Sequence, residues 1–248
     1  MAGLVQVEKD EEAVGRALCE LLKLESAIGI AAKGKFTFAI SGGSMLKMLS
    51  QLDGDDGIEW SKCVMAFVSH RCVPNDDEGA TFHKAKPAFL QSWIDRGLTV
   101  LALGGSTDAN AEAAAYERAL AEYVEADAEG YPSFDLCMIG VGLDGHVGSI
   151  YPDIPDVESM AKVVPITGVD GMGKVSTKLS LSIRSMLASK LPVVACAGKS
   201  AKAPLGKAQA MVRALEADET PMSFPACALR EKATWLLDED SAALLSKE

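Results

Sequence analysis

Residues 134–152, FDLCMIGVGLDGHVGSIYP, are the stretch that decides the fold. The apolar run at residues 136–139 has the length and character of a buried β-strand. Glycines follow it closely, and they let a backbone turn sharply and approach a ligand because they carry no Cβ atom. These glycines are Gly140, Gly142 and Gly145. A buried strand that ends in such a turn predicts an open α/β sheet with a site at the carboxyl ends of its strands.

Two ionisable side chains, Asp144 and His146, lie within this turn. Their position directly after a buried strand favours a functional site, although a structural turn with an exposed histidine is the simpler alternative. The glycine spacing also fits the dinucleotide-binding pattern. That alternative is disfavoured, because Asp144 would bring negative charge towards a pyrophosphate and no clear strand-end acid follows at the ribose-binding spacing.

The same stretch resembles the signature of the 6-phosphogluconolactonases, a Gly-x-Gly-x-Asp-Gly-His segment followed by a small residue, a serine and an aromatic-proline pair. The matching residues are Gly140, Gly142, Asp144, Gly145, His146, Ser149, Tyr151 and Pro152. The related glucosamine-6-phosphate deaminases share the Asp-Gly-His core, so this segment does not separate the two. The resemblance spans nearly the whole chain and implies one lactonase-like domain over residues 1–248.

Predicted strands and helices alternate along the chain. Strands are predicted at residues 36–40, 63–68, 98–103, 136–139, 163–166, 174–183, 191–197 and 233–238. Helices are predicted at residues 11–32, 45–52, 80–93 and 109–128, with a further one that ends near residue 217. This alternation predicts an α/β protein with a single domain, in which a mainly parallel, Rossmann-like sheet is covered by helices on both faces.

Small residues follow two of the predicted strands. Ser41, Gly42, Gly43 and Ser44 come directly after the strand at residues 36–40. Such a loop before a helix is typical of an anion site, and a tight structural turn fits it equally well. The lactonases have a Ser/Thr-Gly-Gly-Ser loop at this place, so the resemblance implies a phosphate or substrate loop. A second loop, at residues 104–106, looks similar, but a turn into the next helix is favoured there.

The strand at residues 63–68 ends in Ser69, His70 and Arg71. The family normally has Asp-Glu-Arg at this place, so both acids are missing here. Because the deaminases use a carboxylate at this strand end to move protons, the loss favours a lactonase. Arg71 could bind a phosphate with two parallel hydrogen bonds, although a surface salt bridge is the simpler interpretation of this residue alone.

Further phosphate-binding cations are implied by the resemblance. The family usually begins the strand at residues 174–183 with an arginine, which Lys178 replaces. The family also has a Gly-x-x-Lys-Ala segment after the strand at residues 191–197. Lys202 is the better match to its lysine and Lys199 the alternative, and solvated lysines at a helix start remain a third interpretation.

Composition limits the classes of function. The chain has 248 residues and a net charge of −11, which disfavours nucleic acid and anionic membranes as partners. The three histidines show no metal-ligand spacing, and no cofactor is expected. The six cysteines show no paired spacing and favour reduced thiols in a cytoplasmic protein, as does an N-terminus without a targeting pattern. We expect a monomer.

The chemistry that the resemblance implies is hydrolysis of 6-phospho-D-glucono-1,5-lactone. A free imidazole titrates at about 6.5, so we assign His146 as the general base that activates water. Asp144 would orient the imidazole or shape the loop. Backbone amides around Gly42–Gly43 or Gly142–Leu143 could stabilise the oxyanion. The alternatives are a deaminase or isomerase on the same scaffold, a non-catalytic protein that binds sugar phosphates, and, least favoured, a nicotinamide-dependent oxidoreductase.

Overall fold

The computed structural model describes residues 3–52, 57–169, 175–199 and 206–246. Strands within these ranges are β1 (Val5–Glu8), β2 (Phe36–Ile40), β3 (Cys63–Phe67), β4 (Ser69–Arg71), β5 (Thr99–Val100), β6 (Leu136–Ile139), β7 (Val163–Val169), β8 (Val175–Leu181), β9 (Leu191–Cys196) and β10 (Thr234–Asp238). Helices are α1 (Glu11–Lys33), α2 (Ser44–Leu49), α3 (Thr81–Ala85), α4 (Gln91–Asp95), α5 (Ala109–Tyr123), α6 (Ile183–Leu187), α7 (Ala208–Leu215) and α8 (Glu239–Ala242). None of the helices in the described ranges combines the length and apolarity that a membrane span requires.

Seven of the described strands form a parallel sheet in the order β1-β10-β9-β6-β2-β3-β5. The chain moves from β2 outwards to β3 and β5, and then returns to β6 and moves the other way to β9 and β10. The order therefore reverses between β2 and β6, and such a reversal opens a crevice at the carboxyl ends of the two strands. The prediction of a mainly parallel α/β sheet is confirmed.

Apolar side chains cover both faces of this sheet. On one face, α1, α2 and α4 pack over a core in which the rings of Trp60 and Trp93 stack at 4.3 Å. On the other face, α5 and α7 contribute Tyr116 and Met211 to a second core. Burial of apolar surface in these two layers is the main force that holds the helices against the strands. The predicted placement of helices on both faces is also confirmed.

A second sheet was not predicted from the sequence. It is antiparallel, with the order β4-β8-β7. Strand β4 is separated from β3 by a single residue, and its three residues are too few to show an alternating pattern of their own. Its pairing with β8 places Arg71 directly opposite Lys178. This small sheet therefore brings two cations from distant parts of the chain to the edge of the crevice.

The clearest errors of length are in one predicted strand and one predicted helix. The predicted strand at residues 98–103 contains only the two-residue strand β5, which pairs with β3 at the edge of the sheet. The predicted helix at residues 109–128 ends at Tyr123, because Ala126 pairs with Pro132 in an isolated bridge. The predicted helix at residues 11–32 is confirmed within one residue as α1, which Gly34 ends in a left-handed conformation at φ 75°.

Candidate active site

A cavity of ≈330 Å³ lies at the carboxyl ends of β6, β2 and β3, beside the point where the strand order reverses. Its wall contains Ser41, Gly42, Gly43, Ser44, Ser69, His70, Arg71, Gly79, Thr81, Lys84, Gly140, Val141, Gly142, His146, Gly148, Ser149, Tyr151, Lys178 and Lys207. The loop after β2, the loop after β6 and the small second sheet therefore share one pocket. Most of the site residues expected from the sequence lie in its wall.

The loops after β2 and β6 are joined by hydrogen bonds at the centre of the sheet. Ser41 donates its amide to the Met138 carbonyl at 3.0 Å, which extends the pairing of β2 with β6 by one residue. The Ser41 hydroxyl accepts the Gly140 amide at 3.1 Å. Ser41 is buried and lines the pocket at the same time. Its hydroxyl therefore fixes the separation of the two loops that form the floor of the site.

The backbone of Gly43 adopts φ 69° and ψ −134°, a conformation open to glycine. Gly42 approaches Thr81 so closely that a Cβ atom at position 42 would lie 3.3 Å from the threonine side chain. Among the described residues, the amides of Gly42 and Gly43 have no hydrogen-bond acceptor. The loop therefore presents two unoccupied N–H donors at the pocket wall, a geometry suited to a negatively charged oxygen.

His146 lies in the pocket wall, and its Nδ1 atom is hydrogen-bonded to Asp144. Its Nδ1 atom lies 2.6 Å from Oδ1 of Asp144, and the same oxygen accepts the His146 amide at 3.2 Å. In the tautomer that donates from Nδ1, the lone pair is on Nε2. No described residue hydrogen-bonds Nε2. The ring can therefore accept a proton at Nε2 while Asp144 fixes its orientation.

Asp144 is not in the pocket wall, and it contacts the wall through its hydrogen bonds with His146. Partial burial raises the pKa of its carboxyl group, but the hydrogen bond from the His146 amide and the charge and hydrogen bond of the imidazole outweigh that effect. The pKa of Asp144 is therefore lowered below its ordinary value. An ionised carboxylate at this position can accept the Nδ1–H hydrogen bond of His146 and hold the ring in one orientation.

Two glycines of the loop have structural roles. A Cβ atom at position 142 would collide with the imidazole of His146, so Gly142 makes room for the Asp144–His146 pair. The Gly142 amide donates to the His146 carbonyl at 2.9 Å, so of the two oxyanion sites that the sequence offered, Gly42–Gly43 and Gly142–Leu143, the first is favoured. The substrate contact expected of Gly145 stays a prediction. Gly145 lies outside the pocket wall, where a Cβ atom would be 2.5 Å from the ring of Phe224.

Cations dominate the charge of the pocket wall. Arg71, Lys84, Lys178 and Lys207 line it, and no carboxylate lies among its described lining residues. Arg71 and Lys178 are cross-strand neighbours, and two like charges in such a pair repel each other unless an anion lies between them. The arrangement therefore favours an anionic ligand.

The lysine expected after β9 is not the one that the described residues place in the pocket. Lys202 lies outside the described residues, and Lys199 pairs with Asp240 at 2.5 Å and does not line the pocket. Lys207, at the start of α7, lines it and donates to the Val141 carbonyl at 2.6 Å. Lys207 begins a second Lys-Ala pair five residues after that of Lys202, and this repetition is the signal that could have found it. No pattern in the sequence indicated that Lys84 would line the pocket.

His70 lies in the pocket wall but is not available as a base. Its Nδ1 atom lies 2.7 Å from the Arg71 carbonyl, and its Nε2 accepts the Phe82 amide at 3.0 Å. Burial lowers the pKa of His70, against smaller opposing effects of the Arg71 carbonyl and the charge of Glu112. Both ring nitrogens are therefore committed, and the neutral ring ties the end of β4 to the start of α3.

The loop at residues 104–106 is a turn, as favoured from the sequence. Its amides do not face a ligand, because the buried carboxylate of Glu112 accepts the Gly104 amide at 2.9 Å and the Ser106 amide at 2.6 Å. A side chain of the following helix thus occupies the position that an external anion would take.

A family model described as glucosamine-6-phosphate isomerases/6-phosphogluconolactonase matches residues 9–237. The chain belongs to this family. The human 6-phosphogluconolactonase is 27% identical over 254 residues, which cover 98% of this chain and 94% of that protein. The 6-phosphogluconolactonase of Mycobacterium tuberculosis is 31% identical over 237 residues, which cover 90% and 91%. A probable chloroplastic 6-phosphogluconolactonase of rice is 31% identical over 163 residues, and this match spans 62% of the chain but only half of the rice protein's length.

Solved structures show the same fold. The 6-phosphogluconolactonase of Trypanosoma brucei superposes with a TM-score of 0.80 at 21% identity, over 98% of this chain and 99% of that chain. A monomeric glucosamine-6-phosphate deaminase superposes with a TM-score of 0.74 at 18% identity, over 97% and 99%. Because a lactonase and a deaminase share this fold, the fold does not separate the two activities, and the choice between them depends on the side chains of the pocket.

Proposed function

We propose that the protein hydrolyses 6-phospho-D-glucono-1,5-lactone to 6-phospho-D-gluconate, a step of the oxidative pentose phosphate pathway. The observation that carries the proposal is His146, which lines a pocket with four cations and whose Nδ1 lies 2.6 Å from Oδ1 of Asp144 behind the wall. The names of the curated relatives support it, since the human and mycobacterial proteins are 6-phosphogluconolactonases.

The reaction follows from the positions of these groups. Nε2 of His146 takes a proton from a water molecule, whose oxygen attacks the lactone carbonyl carbon. The negative charge that develops on the carbonyl oxygen is stabilised by the amides of Gly42 and Gly43. When the tetrahedral intermediate collapses, the bond from the carbonyl carbon to the ring oxygen breaks, and His146 returns the proton to that ring oxygen. The carboxylate of Asp144 stabilises the imidazolium between the two proton transfers.

The phosphate group of the substrate accounts for the opposed cations. Arg71 and Lys178 face each other across the pairing of β4 with β8, and a phosphate between them would replace repulsion with two attractive contacts. Lys207 lines the same wall and adds positive charge from the start of α7. The local field of these side chains is opposite in sign to the net charge of −11 of the whole chain.

The alternatives fit the pocket less well. A deaminase of this family uses a carboxylate at the end of β3, but Ser69 and His70 stand there, no carboxylate lies among the described lining residues, and both nitrogens of His70 are committed. A nicotinamide cofactor would need donors from the glycine loop. The amides of Gly142 and Gly145 instead bond within the loop. A non-catalytic binding protein would have no use for the Asp144–His146 pair.

A panel of four measurements separates these functions in the wild-type protein. We expect turnover of freshly generated 6-phosphogluconolactone above the spontaneous rate, followed through a coupled dehydrogenase. We expect no ammonia from glucosamine 6-phosphate and no quenching of NADH fluorescence. Isothermal titration with 6-phosphogluconate gives the affinity for the product. Product binding without turnover would favour the non-catalytic alternative, and ammonia release would favour the deaminase.

Three expectations stay predictions. The chain is proposed to form one domain over residues 1–248, to be a monomer and to be cytoplasmic. Chemical denaturation with a single transition and a size-exclusion mass close to the chain mass of 26.1 kDa would support the first two.

A further inference from the structure

Tyr151 contacts both halves of the pocket. Its hydroxyl oxygen accepts a hydrogen bond from Nζ of Lys178 at 3.0 Å. Its ring packs against the imidazole of His146, with the centroids 4.7 Å apart and the planes inclined by 35°. The side chain is half-buried and lines the pocket wall. Tyr151 therefore contacts Lys178 through its hydroxyl and His146 through its ring.

Lys178 needs such a partner to hold its position. A lysine side chain is flexible, and here it extends from β8 directly opposite Arg71, whose charge repels it. Lys178 has no ion pair with a carboxylate among the described residues. The ammonium lies 5.1 Å from the centroid of the Tyr151 ring but 3.0 Å from the hydroxyl, so the hydrogen bond is the closer contact. It restrains Nζ and leaves two N–H donors for an anion.

His146 is restrained in a complementary way. The hydrogen bond from Nδ1 to Asp144 fixes one edge of the ring but permits tilting about that contact. The Tyr151 ring covers one face of the imidazole and limits this tilt. The hydroxyl and the ring of Tyr151 thus act on different parts of the site.

We propose that Tyr151 is a positioning residue that sets the separation between Lys178 and the His146 imidazole. In this assignment the hydroxyl holds Lys178 where it can bind an anion, and the ring limits the tilt of the His146 imidazole. The inference rests on the proposed lactonase function for its kinetic tests. The Tyr151–Lys178 contact can also be tested by binding alone.

The first test is a double-mutant cycle with Y151F and K178A. Loss of one hydrogen bond predicts that Y151F raises KM by about 2- to 12-fold while kcat stays within about twofold. In the K178A background, Y151F should change KM by less than about twofold, because the partner is already gone. Equal effects of Y151F in both backgrounds would overturn the role of the hydroxyl.

The second test replaces the ring. Y151L keeps an apolar side chain of moderate size but removes the aromatic face that limits the tilt of the His146 ring, and it should lower kcat by about tenfold while KM rises no more than in Y151F. Y151F, the conservative variant, should keep the wild-type kcat. A Y151L enzyme with the kcat of Y151F would overturn the role of the ring. Far-UV circular dichroism checks that Y151L folds, and the Y151F cycle tests the proposal without it.

Binding separates a failure of this inference from a failure of the proposed function. If the wild type shows no lactone turnover, the proposed function fails, and titration of the same four proteins with 6-phosphogluconate and with inorganic phosphate then tests the contact. Y151F should weaken the binding of either anion by about 2- to 12-fold in the wild-type background and by less than about twofold in K178A. Unchanged binding in Y151F would overturn the inference whatever the activity.

Discussion

The loops at residues 41–44 and 104–106 are built alike but behave differently. Each follows a strand of the parallel sheet and precedes a helix, and each contains small residues. In the second loop, Glu112 accepts the amides of Gly104 and Ser106. In the first loop, the amides of Gly42 and Gly43 have no acceptor among the described residues and line the pocket. A glycine loop is therefore open to a ligand only where the chain supplies no anion of its own.

The largest loss of activity is expected from G142A, in the glycine loop that follows β6. A Cβ atom there would displace the imidazole of His146. We expect kcat to fall by about 100- to 10,000-fold, the range for loss of a general base. The matched variant is G104A, whose Cβ would lie 3.1 Å from the carboxylate of Glu112; it should lower stability and keep kcat. Wild-type kcat in G142A would contradict the assigned role of this loop.

The next effect compares two glycines with positive φ angles. Gly43 has φ 69° and Gly105 has φ 92°, so alanine is strained at both positions. G43A should also misplace the proposed oxyanion donors and lower kcat by about 100-fold. G105A should lower the melting temperature without a change in kcat, because its loop binds Glu112 and not substrate. Similar kcat values for both variants would remove the distinction between the loops.

A third variant removes the carboxylate that is hydrogen-bonded to the loop at residues 104–106. E112A removes the acceptor of two amides, and we expect the free energy of unfolding to fall by about 1–3 kcal/mol, since each hydrogen bond contributes about 0.5–1.5 kcal/mol and water can reach the exposed Gly104 and Ser106. Urea denaturation measures this change. The control is E122A on the exposed side of α5, which should change stability by less than about 0.5 kcal/mol. A loss of stability no larger in E112A than in E122A would show that the carboxylate does not hold the loop.

The smallest effect is a pH dependence of stability that arises from His70. Burial lowers the pKa of His70 in the folded state. Below about pH 6.5 the unfolded state therefore binds more protons at this histidine than the folded state does. Stability should therefore fall as the pH decreases from 7.5 to 5.5, by at most about 1.4 kcal/mol per pH unit from this group. H70Q keeps one donor and one acceptor but does not titrate. The pH dependence of its unfolding free energy should be weaker than that of the wild type, and an equal dependence would contradict the commitment of both ring nitrogens.

Local patterns predicted the fold and the centre of the site. The apolar run at residues 136–139, the glycines after it and His146 lie together in sequence, so one stretch contains the strand, the turn and the proposed base. The loop at residues 41–44 was equally visible. These elements could be predicted because their structure depends on neighbours along the chain, such as the alternation of apolar residues and the freedom of glycine.

Other parts of the site depend on contacts between distant segments. The three-residue strand β4 was missed because only its pairing with β8 defines it, and this pairing also brings Arg71 beside Lys178. Lys207 was missed because family spacing pointed to an earlier lysine. The position of Gly145 against Phe224, outside the pocket wall, was not predicted because it arises from packing between distant segments. Sequence spacing alone contains none of this information.

The central claim is that the imidazole of His146, held by Asp144, moves the proton in lactone hydrolysis. Its most direct test is the kcat of H146A for freshly generated 6-phosphogluconolactone, corrected for spontaneous hydrolysis and measured beside H83A, which removes an exposed histidine of α3 outside the pocket wall. We predict a fall of at least about 100-fold in H146A and a change of less than about twofold in H83A. Wild-type kcat in H146A would contradict the account.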